Sequence, residues 1–127
     1  MTEPCSLLSV ATAVPPYVVT QAEAKELARD AFGGKKGLFD RLASVFDNAG
    51  IARRHIVAPQ EWYMADHGWR DRNAVYLEAA EKLFVEAAAS AIEQSGLMPA
   101  QIDGAVPLST TGIATPSLDA RVASRVG

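Results

Sequence analysis

Cysteine is almost missing from this chain of 127 residues, with Cys5 as its only copy. One thiol cannot close an internal disulfide, so the fold must rest on packing and hydrogen bonds, as suits a reducing compartment. Cys5 stands ahead of the first expected strand with no neighbouring group to activate its thiol, and it is not expected to act as a nucleophile. Histidine is scarce too: His55 and His67, even taken with Cys5, lack metal-ligand spacing, and no metal is expected. Apolar runs such as Ala87-Ala88-Ala89 are far too short to span a membrane. Positive charge is not in excess, since 12 Lys and Arg face 15 Asp and Glu for a net charge of -3, which removes any global pull toward nucleic acid. No GxGxxG or GxxxxGK[ST] follows a strand, and Gly33-Gly34-Lys35-Lys36-Gly37 reads as a turn between helices rather than a phosphate loop. The N-terminal MTEPCSLLSV has an acidic residue and a proline where a secretory signal would carry positive charge and a long apolar core, so a cytoplasmic location is expected.

What is present is a 49% apolar sequence, enough for one domain with a sizeable core. Leu7 to Ala13 reads as a buried strand, ended by Val14-Pro15-Pro16. Thr20-Gln21-Ala22-Glu23 is a capping box, and Ala24, Leu27, Ala28 and Phe32 follow on one helical face until Gly33-Gly34. A second helix is expected from Gly37 to Asn48, with Leu38, Leu42, Val45 and Phe46 as its apolar stripe. Ile51 to Ala58 reads as a strand with Arg53, Arg54 and His55 in its middle, which puts it near a surface or a charged ligand. Pro59 to Asp71 is a connection rich in aromatics (Trp62, Tyr63, Trp69) that is expected to pack over something. The clearest helix runs from Asn73 to Ser95, where Leu77, Ala80, Phe84, Ala87, Ala88, Ala91 and Ile92 make a wide face suited to the centre of a molecule. Glu78 and Lys82 form an i,i+4 pair on its other side, and Gly96 ends it.

The final stretch, GAVPLSTTGIATPSLDARVASRVG, organises the rest. Gly104 to Leu108 has the length of a strand, although Pro107 removes a ladder donor, and Ser109-Thr110-Thr111-Gly112 breaks it. Thr115-Pro116 reads as an N-cap with proline at the first helical position. A helix then carries Leu118, Val122 and Val126 on one face, Asp119 in its first turn, and Arg121 and Arg125 toward its end. Hydroxyls thus cluster where a strand meets a helix, the place where open α/β sheets form ligand sites. Thr110 and Thr111 either bind a ligand there or satisfy the end of the strand. Arg41, Arg53 and Arg54 either match phosphate oxygens bidentately or form a solvated basic face.

Taken in order, LLSVATAVPP, FDNAGIARRHIV, GWRDRNAVYLEAA and STTGIATPSLDA resemble the N-terminal part of type III polyketide synthases, the chalcone and stilbene synthase family, in its bacterial form. The resemblance covers about Ser6 to Gly127, and its most specific parts are Gly50-Ile51 with Arg53-Arg54 and the segment Ser109 to Asp119. It implies an α/β chain, the incomplete first half of a thiolase-like five-layer αβαβα fold, with residues 1–127 forming one N-terminal part and no second domain. It implies a homodimer that takes an acyl-CoA starter and malonyl-CoA and needs no metal or organic cofactor. By the same resemblance Thr110 and Thr111 line the pocket beside the growing chain, Thr115 reaches across the dimer interface, and Arg41 contacts CoA phosphates. Ser44 and Asn48 stand where plant members carry further basic residues, so the CoA site is expected to be weaker or built differently.

The family's catalytic cysteine lies beyond the matching segment, and its catalytic histidine and asparagine lie further on. None is in this chain, so no catalytic residue is assigned and the chain by itself is expected to be inactive, partnered by the missing C-terminal part of the fold. Two other readings compete: a β-ketoacyl-ACP synthase III-like fragment, which shares the early GI-x-R pattern but fits STTGIATPSLDA less well, and a non-catalytic module that binds acyl-CoA or a partner protein.

Overall fold

Pro15 and Pro16 keep the chain out of a helix, and the four residues after them, Tyr17–Thr20, form strand β1. The computed structural model describes residues 4–32 and 37–126. It divides into two units: Pro15–Gly68, and the segment before Pro15 together with the chain from Trp69 onward.

In the Pro15–Gly68 unit, β1 is followed without a loop by helix α1 (Gln21–Phe32). Thr20 serves both elements. It ends the strand, and its hydroxyl accepts the Glu23 N–H at 3.2 Å while its own N–H donates to the Glu23 carboxylate at 2.7 Å, closing the expected capping box. The bond from the Thr20 N–H, then that from its hydroxyl, hold the Glu23 carboxyl below its ordinary range. The expected stop at Gly33-Gly34 lies outside the described residues. Helix α2 (Leu38–Asn48) is entered through Gly37 at φ +84°, a left-handed conformation that only glycine adopts without strain. Its buried stripe differs from the expected one. Phe39 is buried, Ala43 and Phe46 are half-buried, and the two rings lie 6.4 Å apart, while Leu42 and Val45 face solvent. The spacing 39, 43, 46 is equally helical, and the rings bury more area than Leu42 and Val45 could, so they choose the face.

Strand β2 (Arg53–Ile56) lies within the expected Ile51 to Ala58 and pairs antiparallel with β1, Tyr17 opposite Ile56 and Thr20 opposite Arg53. Val19, Phe39 and Ala58 are the buried residues of this unit among those described. The aromatic connection contains a short helix, α3 (Gln60–Met64), and packs on itself: the His67 ring stacks on Trp62 at 4.2 Å, and Tyr63 meets Trp62 edge-on at 5.0 Å.

The other unit is built along helix α4 (Trp69–Ser95), 27 residues and about 40 Å long. It starts four residues before the expected Asn73, with Asp71 in the first turn where the helix dipole favours a carboxylate. It ends as expected, at Gly96 with φ +74°. The predicted apolar face is present but only half-buried, and no residue of α4 is fully buried. A place at the centre of a molecule is therefore not what the described chain gives it; helix α5 (Leu118–Val126) covers one flank. Leu118 and Val122 of α5 are buried, Val122 to 1% exposure.

Helix α5 begins at Leu118 instead of Pro116, because Ser117 takes the cap position and its carbonyl accepts the Arg121 N–H at 3.0 Å. Arg121 and Arg125 both reach Glu81 of α4, at 2.5 and 2.6 Å. Among the described residues the ion pairs of α4 run through Glu81, and Glu78 and Lys82 do not pair.

Neither Leu7 to Ala13 nor Gly104 to Leu108 is a strand; the ladder among the described residues is β1-β2 alone. A strand needs a partner, and Pro107 cannot donate to one. The first segment keeps a strand's rhythm nonetheless. Ser9, Ala11 and Ala13 are half-buried, Val10, Thr12 and Val14 are exposed, and the Ser9 hydroxyl donates to the Ala91 carbonyl at 2.7 Å. Val106 and Leu108 are 96% and 93% exposed. Among the described residues, no helix is long and apolar enough to cross a membrane.

Two substitutions test these anchors. Thr20→Ala removes a helix cap and is expected to lower stability by about 1 kcal/mol in urea unfolding. The Glu81 carboxyl is held below its ordinary range, first by the hydrogen bond from Arg121, against the opposing effect of desolvation. A depressed carboxyl stabilises the fold above its unfolded pKa and loses that contribution as pH falls through the folded one. Glu81→Gln is therefore expected to lower the thermal midpoint at neutral pH and to flatten its decline between pH 5 and about 3.

Candidate functional site

The hydroxyl-rich stretch from Ser109 to Ser117 lies against the N-terminal half of α4. Asn73, in the second turn of that helix, bonds Ile113 in both directions: its side-chain N–H donates to the Ile113 carbonyl at 3.0 Å, and the Ile113 N–H donates to its side-chain oxygen at 3.0 Å. The exchange copies what two opposed residues make in an antiparallel ladder. One turn on, the Tyr76 hydroxyl donates to Ser109 Oγ at 2.8 Å, and Ser109 Oγ also accepts the Thr111 N–H at 3.3 Å. Gly112 lies over the Tyr76 ring, where an added Cβ would come within 2.6 Å of Tyr76 Cγ. A side chain does not fit there.

Between these anchors Thr110 and Thr111 are exposed, and so is Thr115 further along. The three predicted pocket residues thus sit on one pinned segment with no described contact that uses up their hydroxyls. They do not line the open cleft of about 250 Å³ between α4, residues 99–105 and α5, whose floor is Phe84, Ile92 and Val122 and whose rim carries Asp103 and Asp119. Two carboxylates make that cleft a poor place for a phosphate. The Asp119 carboxyl is held below its ordinary range, first by the Ser117 hydroxyl and further by N–H groups at the start of α5.

The predicted basic residues belong to the Pro15–Gly68 unit. Arg41 on α2 and Arg53 on β2 are exposed and make no ion pair among the described residues. Arg54 is already engaged: its Nε donates to Gln21 Oε1 at 3.0 Å, and its guanidinium lies 5.9 Å from the Phe46 ring centre. Gln21 joins three elements, since it also donates to the Phe46 carbonyl at 2.5 Å and its N–H bonds the Ala52 carbonyl at 3.0 Å. Nearby positive charge is partly cancelled, with Lys25 on Asp47 at 2.8 Å and Arg29 on Glu26. His55 donates to the Pro15 carbonyl at 3.1 Å, and Ser44 and Asn48 are exposed. Among the described residues no cluster of acidic, histidine and cysteine side chains could hold a metal ion, and Cys5 is exposed.

Asn73, Tyr76 and Gln21 were not foreseen as site residues. Each is a polar side chain on a helix that the sequence pattern places correctly, but its partner stands 25 to 40 positions away, the backbone of Ile113 for Asn73, the Ser109 hydroxyl for Tyr76, the Phe46 carbonyl and the Arg54 side chain for Gln21, and no local spacing reveals it.

No family model matches the chain. The chain is 38% identical over 125 residues to a 1,3,6,8-tetrahydroxynaphthalene synthase of Streptomyces peucetius subsp. caesius, covering 96% of this chain and 32% of that protein. It is 33% identical over 121 residues to a putative chalcone synthase of Bacillus subtilis (strain 168), covering 91% of this chain and 33% of the relative. In structure it matches the crystal structure of 1,3,6,8-tetrahydroxynaphthalene synthase from Streptomyces coelicolor A3(2), a bacterial type III polyketide synthase, at a TM-score of 0.79 and 29% identity, over 93% of this chain and 34% of that one. The chain spans about a third of the length of the curated relatives it matches. In sequence and in its partial, thiolase-like α/β fold, it is similar to the N-terminal part of bacterial type III polyketide synthases.

Proposed function

We propose that this chain is the N-terminal part of a type III polyketide synthase that condenses an acyl-CoA starter with malonyl-CoA. The observation that carries the reading is the match over nearly the whole chain, in sequence and in fold, to bacterial enzymes of that kind. In the reaction a cysteine thiolate attacks the starter thioester and releases CoA. Malonyl-CoA then loses carbon dioxide, and the enolate carbon left behind attacks the acyl carbonyl, freeing the cysteine and lengthening the chain by two carbons. Hydrogen-bond donors stabilise the enolate oxygen as it forms.

The cysteine, histidine and asparagine of that chemistry come from the rest of the enzyme, and this chain supplies binding surface. Thr110 and Thr111 present hydroxyls to the growing chain, and Thr115 lies where the subunits of a homodimer meet. Arg41 and Arg53, both exposed and outside any described ion pair, meet the CoA phosphates. Arg54 adds its terminal guanidinium nitrogens from a fixed position, because Gln21 and Phe46 hold the rest of its side chain. No metal or organic cofactor takes part.

The test is an assay of the enzyme that carries this chain, incubated with malonyl-CoA and an acyl-CoA starter. Carbon dioxide release and an aromatic polyketide product are expected, whereas the 127-residue chain alone gives neither. Arg41→Ala and Arg53→Ala are each expected to raise KM for malonyl-CoA about three- to tenfold with kcat little changed, the signature of a lost ground-state contact to a charged group. An unchanged KM in both variants removes the basic face from the CoA site, and a requirement for an acyl-carrier protein as malonyl donor points instead to a ketoacyl synthase III-like enzyme.

A further inference from the structure

We infer that Asn73 and Tyr76 are positioning residues that set the length of the polyketide by fixing where the hydroxyls of Thr110 and Thr111 stand; the inference rests on the reading of those threonines as pocket wall. The segment that carries them joins no ladder among the described residues. One face of α4 holds it in place. Asn73 and Tyr76 are three apart and therefore neighbours on the helix surface, and they grip the segment on either side of the threonines. Asn73 holds Ile113 through two hydrogen bonds of 3.0 Å, and Tyr76 holds Ser109 through one of 2.8 Å.

The space between the grips is filled on the helix side. The Tyr76 ring lies under Gly112, so the segment cannot settle closer to α4, and the hydrogen bonds prevent it from lifting away. Thr110 and Thr111 are left pointing at no described partner, with their backbone held at both ends. A wall held in this way sets the cavity's depth to within a side-chain rotamer, and depth limits how many two-carbon units fit before cyclisation. Loosening either grip enlarges the range of depths without touching the reacting atoms.

The experiment uses the enzyme carrying this chain, with Asn73→Ala, Asn73→Asp, Tyr76→Phe and Thr110→Ala. Hydrogen exchange of the peptide covering residues 109–115, read by mass spectrometry, is expected to quicken about tenfold or more in Asn73→Ala, which loses two hydrogen bonds, and less in Tyr76→Phe, which loses one and keeps the ring under Gly112. Asn73→Asp keeps the acceptor for the Ile113 N–H and is expected to fall between wild type and Asn73→Ala. The distribution of product chain lengths is expected to broaden in the same order, with KM for malonyl-CoA within twofold of wild type, a split that general destabilisation would not produce. Unchanged exchange in Asn73→Ala overturns the inference. So does a product distribution that Thr110→Ala alters and Asn73→Ala leaves intact. If neither variant alters the products although exchange quickens, the pocket reading of the threonines fails, and this inference fails with it.

Discussion

A polypeptide backbone that leaves one element before entering the next must still satisfy its N–H and C=O groups, and at Ile113 the side chain of Asn73 satisfies both. That substitution of a side-chain amide for a strand explains why the segment has a definite position at all. Helix α4 carries Asn73 and Tyr76 near its start, Glu81 in its middle and the Ala91 carbonyl toward its end, and each fixes a different piece of chain to one rod. Hydrophobic burial alone would not give this order, since no residue of α4 is buried and the buried residues of its unit, among those described, are Leu118 and Val122, both on α5. Polar contacts place the elements here, and apolar contacts hold them.

The Pro15–Gly68 unit follows a similar economy with Gln21 at its hub. Gln21 is the first residue of α1, and its three hydrogen bonds reach α2, β2 and the residue before β2. Arg54 is thereby immobilised over Phe46 while Arg53, its neighbour on the strand, points the other way into solvent, as alternation along a strand requires. One arginine stabilises the strand pair and the other stays available, a division that a run of adjacent basic residues does not disclose.

Local signals in the sequence were enough for the elements that local chemistry controls. The capping box at Thr20, the start of the second helix near Gly37, the glycine end at Gly96, the helix through Ala80 and Ala91, and the Leu118, Val122, Val126 face all follow from spacing and side-chain type. The failures share a cause. Leu7 to Ala13 and Gly104 to Leu108 have strand composition, but a strand exists only with its partner, and composition cannot supply one. β1 is hidden in the sequence because Pro15, Pro16 and Thr20 read as punctuation, and only its pairing with Arg53–Ile56 makes Tyr17–Thr20 a strand. The stripe of α2 turned toward Phe39 because two aromatic rings outweigh two aliphatic side chains. For the site, the segment bearing the hydroxyls was legible and its anchors were not, since Asn73 and Ile113 stand 40 positions apart.

The role of Thr110 and Thr111 depends on whether these pinned side chains face the growing chain. A crystal structure of the enzyme carrying this chain, trapped with an acyl-CoA analogue too stable to condense, answers that directly. The acyl carbons are expected within about 4 Å of the Thr110 and Thr111 side chains, with Asn73 still bonded to Ile113. An acyl group seated elsewhere, with Thr110 and Thr111 packed only against protein, would contradict a pocket role for these threonines.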